Sequence, residues 1–149
     1  MVRNLKVNAG NNIKIDKILI HNLVKTINEK LDFEISSLII NFIPSNQILD
    51  INRKYLKHNY TTDIITFNYS GSHKLLDGEL YISREDAQYN AGKYGVSLIE
   101  EYFRLVIHGI LHLMNYDDRD KKDRISMKRL ENNLVKQSKN KLLKGINFK

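Results

Sequence analysis

Val106-Ile107-His108-Gly109-Ile110-Leu111-His112-Leu113-Met114-Asn115-Tyr116-Asp117-Asp118 is the stretch on which the reading of this chain turns. Two histidines four apart on a helix stand one turn above each other on the same face, so both imidazoles can reach one ion. Their apolar neighbours anchor that helix in a core. Asn115 falls where the helix should stop, and asparagine is the next choice after glycine for the left-handed residue that ends a helix and reverses the chain. Residues beyond it can then fold back towards the histidines. Asp118 lies six positions after His112 and three after the turn, the offset at which the third ligand returns in HxxxHxxGxxH metal sites. His108, His112 and Asp118 are therefore the candidate metal ligands, with water on the ion as the expected nucleophile. Gly109 stands where HExxH peptidases carry their general-base glutamate, which argues against peptidase chemistry of that form.

Outward from this helix the elements follow from periodicity and punctuation. The helix itself is expected to run from about Ser97 to Met114. Before it, Ser83-Arg84-Glu85-Asp86 has the pattern of a capping box opening a helix that ends near Gly95. After it, Lys121–Lys144 carries Ile125, Met127, Leu130, Leu134, Leu142 and Leu143 on a helical period, an amphipathic terminal helix. Asp63–Phe67 and Glu79–Ile82 read as two strands of a hairpin-like pair. Ser37–Phe42 is short, apolar and partly β-branched, a central strand. Pro44-Ser45 is expected to start a helix through Tyr55 with Ser45 as N-cap. Near the beginning, Leu5–Val7 reads as a strand, and Asp16 caps a helix carrying Leu19, Leu23, Ile27 and Leu31. Strands and helices mix without regular alternation, so the class is α+β.

The 149 residues suit one domain, and one proline with scattered glycines marks no linker. Residues 1–149 are read as a single unit. No cysteine is present, which excludes disulfides, thiolate catalysis and cysteine-containing zinc sites, and leaves His, Asp and Glu as the strong metal ligands. Twenty-four Lys and Arg against seventeen Asp and Glu give a formal charge of +7, compatible with a polyanionic partner or with simple solubility. No apolar run approaches the ~18 residues of a membrane span, and the start lacks a signal-peptide core, so a cytoplasmic protein without membrane attachment is expected.

The decisive stretch resembles the signature H-G-x-L-H-L-x-G-Y-D-H of the YbeY family of endoribonucleases. Ile51-Asn52-Arg53-Lys54-Tyr55 is similar to that family's L-N-x-x-Y segment, Thr62–Phe67 to its T-D-V-L-S-F strand, and Gly78–Ser83 to its G-D-I-x-I-S, in the same order along most of the chain. The resemblance implies a mixed four-stranded sheet flanked by helices, with a zincin-like metal-binding helix and one Zn2+. It also implies hydrolysis of single-stranded RNA in small-subunit ribosomal RNA maturation and ribosome quality control. The small ribosomal subunit becomes the expected partner, and the protein a monomer or weak oligomer.

Three positions depart from the pattern. Asn115 replaces a glycine. Asp118 replaces the third histidine, which makes the ion a weaker Lewis acid and widens metal choice towards iron, manganese or nickel. Leu56 stands where the family carries an arginine that engages RNA phosphate, leaving Arg53 and Lys57 as candidate RNA-binding residues, although lysine cannot hold a phosphate bidentately. Leu56 keeps open a second reading, a ribosome-associated RNA-binding factor with a structural metal. Thr62 and Asp63 suit local backbone satisfaction, His58 a solvated loop or RNA contact, and His21 and His73 carry no constellation. Tyr116 and Asp117 suit the return loop, with Asp117 a candidate partner for a ligating imidazole. Lys136, Lys139, Lys141, Lys144 and Lys149 suit either RNA phosphates or a solvated helix face.

Overall fold

The computed structural model describes residues 1–116 and 119–144. Four strands, β1 (Leu5–Ala9), β2 (Glu34–Ile43), β3 (Ile64–Asn68) and β4 (Leu75–Ser83), form one sheet in the order β1-β2-β4-β3. β2 is central and runs parallel to both β1 and β4, while β3 pairs antiparallel with β4 along one edge. The architecture is thus the α+β class with a mixed four-stranded sheet, and the β3–β4 hairpin and the central β2 agree with the sequence expectation.

The period of two along the strands decides which face is covered. Leu38, Ile40 and Phe42 of β2 stand in register with Gly78, Leu80 and Ile82 of β4. Their apolar side chains are fully buried in the main core. α1 (Lys17–Lys30) and α4 (Leu98–Leu113) complete that core, and α5 (Lys121–Leu142) packs on both. On the other face a smaller cluster of Ile43, Ile48 and Ile65, with Phe67 and Tyr81 packed on it, lies under the short α2 (Ser45–Ile51). α3 (Arg84–Tyr94) bridges β4 to α4. No helix among the described residues is long and apolar enough to cross a membrane.

Caps explain most helix boundaries. Asp16 accepts from the Leu19 N–H at 3.1 Å, and Ser97 from that of Glu100 at 3.2 Å, each satisfying a backbone donor with no intrahelical partner. Ser97→Ala should lower stability by about 1 kcal/mol, read from denaturant unfolding, without altering the sheet.

Four local expectations are corrected. Ser45 is not the N-cap of α2. Pro44 takes that position in extended conformation with no capping side chain, and the Ser45 N–H donates to Glu85 Oε1 at 2.8 Å, so a carboxylate from α3 does the capping. Ser83 does cap α3 by accepting from the Asp86 N–H, but the return bond of a capping box is absent. The Ser83 N–H is drawn to the Asp63 carbonyl, and Asp86 Oδ1 accepts from the Thr61 hydroxyl. Ile125, placed on the buried stripe by period, is half exposed, and the buried row of α5 is Met127, Glu131, Leu134, Val135 and Ser138. Beyond α2 the chain does not continue as a regular helix to Tyr55 but winds into a π-helical turn over Asn52–Leu56, closed by Lys57 in the left-handed conformation.

Candidate metal centre and its cleft

Both histidines are delivered by α4, and two local devices set where they point. The first is the close approach at Gly109. A Cβ there would lie 2.8 Å from both Leu80 methyls and 3.1 Å from Ile64 Cδ1, so only a glycine lets the helix lie this near the sheet. With position 109 against β3 and β4, the imidazole of His108 turns off the sheet towards α5. The second is the helix stop. Asn115 adopts φ +64°, the Asn115 N–H bonds the His112 carbonyl and the Tyr116 N–H bonds the Leu111 carbonyl, both at 3.0 Å. This is the Schellman arrangement, and it reverses the chain within a turn of His112. Asn115 thus serves in the role that its left-handed tendency predicts.

The two imidazoles converge. His112 Nε2 lies 2.9 Å from His108 Nε2, with the rings 4.5 Å apart and inclined by 73°. A tetrahedral zinc with two nitrogen ligands at ~2.0–2.1 Å would set those nitrogens about 3.3 Å apart, so the pair is within a few tenths of an ångström of chelating spacing. Among the described residues no third His, Asp or Glu completes a metal-holding group, and Asp118 and Asp117 lie outside the described residues.

Behind His108 stands a residue that the sequence pattern did not disclose. Glu131 of α5, 23 positions away, brings Oε1 to 2.5 Å from His108 Nδ1. Its Oε2 accepts from Arg104 Nη1 and Lys128 Nζ, each at 3.0 Å. Only 2 % of Glu131 is exposed, and burial alone would push its carboxyl up; hydrogen bonds from His108 and Lys128, with their charges, outweigh this and hold it at about 2. A carboxylate ionised at neutral pH can only accept, so His108 Nδ1 carries a proton, and in the neutral imidazole the lone pair is then on Nε2, facing His112. The missed signal was a charged residue in the buried row of an amphipathic helix, one turn beyond Met127 and adjacent in that row to Leu134 and Val135.

His108 opens into a cleft of about 640 Å³ between α3, α4 and α5, floored by Asp63, Asn90 and Glu101. Asn90 Nδ2 donates to Asp63 Oδ2 at 3.0 Å, which holds the Asp63 side chain in the cleft wall, besides the backbone bond that Asp63 accepts from Ser83. Glu101 is 2 % exposed; burial pushes its carboxyl up against the opposing pull of Arg104.

Arg53 and Lys57 are not among the residues lining this cleft. Arg53 lies within the π turn and Lys57 closes it; Arg53 Nε donates to Asn59 Oδ1 at 2.6 Å, and Leu56 of the same turn is 40 % exposed. His58 stacks on Tyr60, and its Nδ1 shares a 2.7 Å hydrogen bond with the tyrosine hydroxyl. His21 Nδ1 accepts from the Val2 N–H at 3.2 Å. Of the terminal lysines, Lys139 pairs with Glu100 at 2.8 Å and Lys141 with Glu29 at 3.0 Å, whereas Lys149 lies outside the described residues.

Comparison with known proteins agrees with this frame. The family described as endoribonuclease YbeY matches residues 5–139. The endoribonuclease YbeY of Chlorobium phaeobacteroides is 39 % identical over 109 residues, 73 % of this chain and 76 % of the relative. That of Bacteroides fragilis is 35 % identical over 116 residues, 78 % of this chain and 83 % of the relative. The solution structure of TM1509 from Thermotoga maritima superposes with a TM-score of 0.67 at 21 % identity, covering 92 % of this chain and 90 % of that one, a likeness of fold. A family match over residues 5–139, with relatives 35–39 % identical over about three quarters of the chain, leads to one conclusion: this chain belongs to the YbeY family.

Proposed function

We propose that this protein is a metal-dependent endoribonuclease specific for single-stranded RNA, acting in the cytoplasm on small-subunit ribosomal RNA during its maturation. The observation that carries the reading is the convergence of His108 and His112 at Nε2 with a buried, ionised carboxylate behind His108, in a chain of this family. His108, His112 and Asp118 would hold one divalent ion, zinc or, because of the carboxylate, iron, manganese or nickel. When bound, such an ion polarises the phosphodiester and makes water nucleophilic near neutral pH.

The chain's own residues supply orientation and charge. Glu131 selects the tautomer of His108 and fixes its ring plane. Arg104 and Lys128 keep Glu131 ionised at a depth where a lone carboxylate would take up a proton. Gly109 lets α4 lie close against Leu80 and Ile64 of the sheet, with His108 turned to the other side. RNA phosphates would be met by cations at the cleft and by Arg53 and Lys57, and the partner would be ribosomal RNA within the small subunit.

Cleavage of a single-stranded ribosomal RNA fragment by metal-reconstituted wild type, beside His112→Ala and Asp118→Ala with bound metal counted in each, tests this reading. Wild type should cut, and both variants should lose metal and activity together. Metal binding that survives both substitutions would remove the site. Normal metal loading in a wild type that binds but never cuts RNA would turn the assignment to an RNA-binding factor with a structural metal.

A further inference from the structure

The cleft beside His108 has two walls whose chemistry the histidine pair does not use. On one, Lys121, Arg124 and Lys128 of α5 follow at i, i+3 and i+7, a spacing that keeps them on one side of the helix, and all three line the cleft. Lys128 is committed to Glu131, and so is Arg104 beside it. Lys121 and Arg124 are exposed and pair with no carboxylate among the described residues. Of the acidic floor, Glu101 and Glu131 face Arg104, and Asp63 accepts from the uncharged Asn90 amide, so one carboxylate stands against the two cations. The opposite wall carries Tyr94, the last residue of α3, with 63 % of its surface exposed.

Tyr94, met by Lys93 Nζ 5.5 Å from its ring centroid and otherwise open to solvent, shares a cleft of about 640 Å³ with these two cations, a combination suited to one unstacked nucleotide. Every base offers a π-face to the ring, and Arg124 can grip a phosphate with two parallel N–H donors. Resting on the reading of this protein as an RNA hydrolase, we propose that the cleft seats one nucleotide of a single strand next to the scissile phosphate. Tyr94 stacks the base, and Lys121 and Arg124 hold its phosphate. The clamp is separate from Arg53 and Lys57, which lie outside this cleft, and it supplies from α5 the bidentate cation that the chain lacks at Leu56.

The test is binding of a labelled single-stranded oligoribonucleotide to metal-free protein by fluorescence anisotropy over a series of salt concentrations. Each cation withdrawn from single-strand phosphates should lower the log–log salt slope by roughly 0.7. Lys121→Ala/Arg124→Ala should therefore weaken binding at low salt and flatten the slope by about 1.4. Lys14→Ala/Lys17→Ala, which removes the same charge from exposed positions at the start of α1, should keep the wild-type slope. Tyr94→Ala should lose about 5- to 150-fold in affinity at unchanged slope, and Tyr94→Phe should bind as wild type. A wild-type slope in the Lys121/Arg124 variant, an equal loss in the α1 control, or unchanged affinity in Tyr94→Ala would each overturn the proposal. Because binding is read without metal, failure of the loaded enzyme to cut RNA would count against the hydrolase reading and leave this result standing.

Discussion

Glu131→Ala is expected to unfold about 3 kcal/mol more easily than wild type at neutral pH and to bind metal 10- to 100-fold more weakly. The stability loss comes from removing the one carboxylate that His108, Arg104 and Lys128 share. Breaking a buried pair from one side costs ~3–5 kcal/mol, and the lower end applies because Lys128 stays exposed enough to find water. The depressed carboxyl gives an independent route to the same size. A fall from 4.5 to about 2 in the folded protein corresponds to about 3 kcal/mol at 1.36 kcal/mol per unit.

Linkage sets where that contribution acts. A carboxyl depressed on folding stabilises fully above its unfolded value and loses the contribution as pH falls through the folded value, here between about 4.5 and about 2. Urea unfolding of wild type and Glu131→Gln across that range should show the gap between them closing as the pH drops. The amide keeps the shape of the side chain but removes its charge, so the metal affinity of Glu131→Gln isolates the electrostatic and tautomer roles from packing. Wild-type affinity in that variant would show that His108 needs no anionic partner.

Gly109→Glu, which would install the peptidase base at its usual place, should cost more than about 4 kcal/mol and create no peptidase. The new side chain would start 2.8 Å from both Leu80 methyls and run into the core between α4 and the sheet, where an unpaired carboxylate has no water and no donor. Gly109→Ala grades the effect. Overpacking costs ~1–3 kcal/mol, while the better helix propensity of alanine returns up to about 1 kcal/mol, so a net loss of about 1–2 kcal/mol is expected. Thermal unfolding of the two variants beside wild type checks the series. A well-folded Gly109→Glu protein would mean that α4 can lift from β4, and with it the reason the histidines face α5.

Much of this arrangement was legible along the chain because its causes are local. Asp16, Ser83 and Ser97 cap the helices they precede, since a hydroxyl or carboxylate there meets a free N–H two or three residues on. Asn115 turns left-handed for the same kind of reason, and the spacing of His108 and His112 on a 3.6-residue period suffices to bring their rings together on one face. The short apolar run of Ser37–Phe42 marked β2 as the central strand.

What only the tertiary structure decided depends on contacts between distant segments. Glu85 caps α2 from another helix, displacing Ser45 from the role its residue type suggested. Ile125 is half exposed although its period matches the apolar stripe, because the buried row of α5 is set by where that helix rests on α1 and α4. The same contact brings Glu131 to His108 and turns Lys121 and Arg124 into the cleft. Sequence by itself determined the α+β class, the ends of α3 and α4 and the histidine pair, since periodicity and capping act between neighbours. The charge behind the pair was decided by the docking of α5, a packing solution over many side chains that no local pattern encodes.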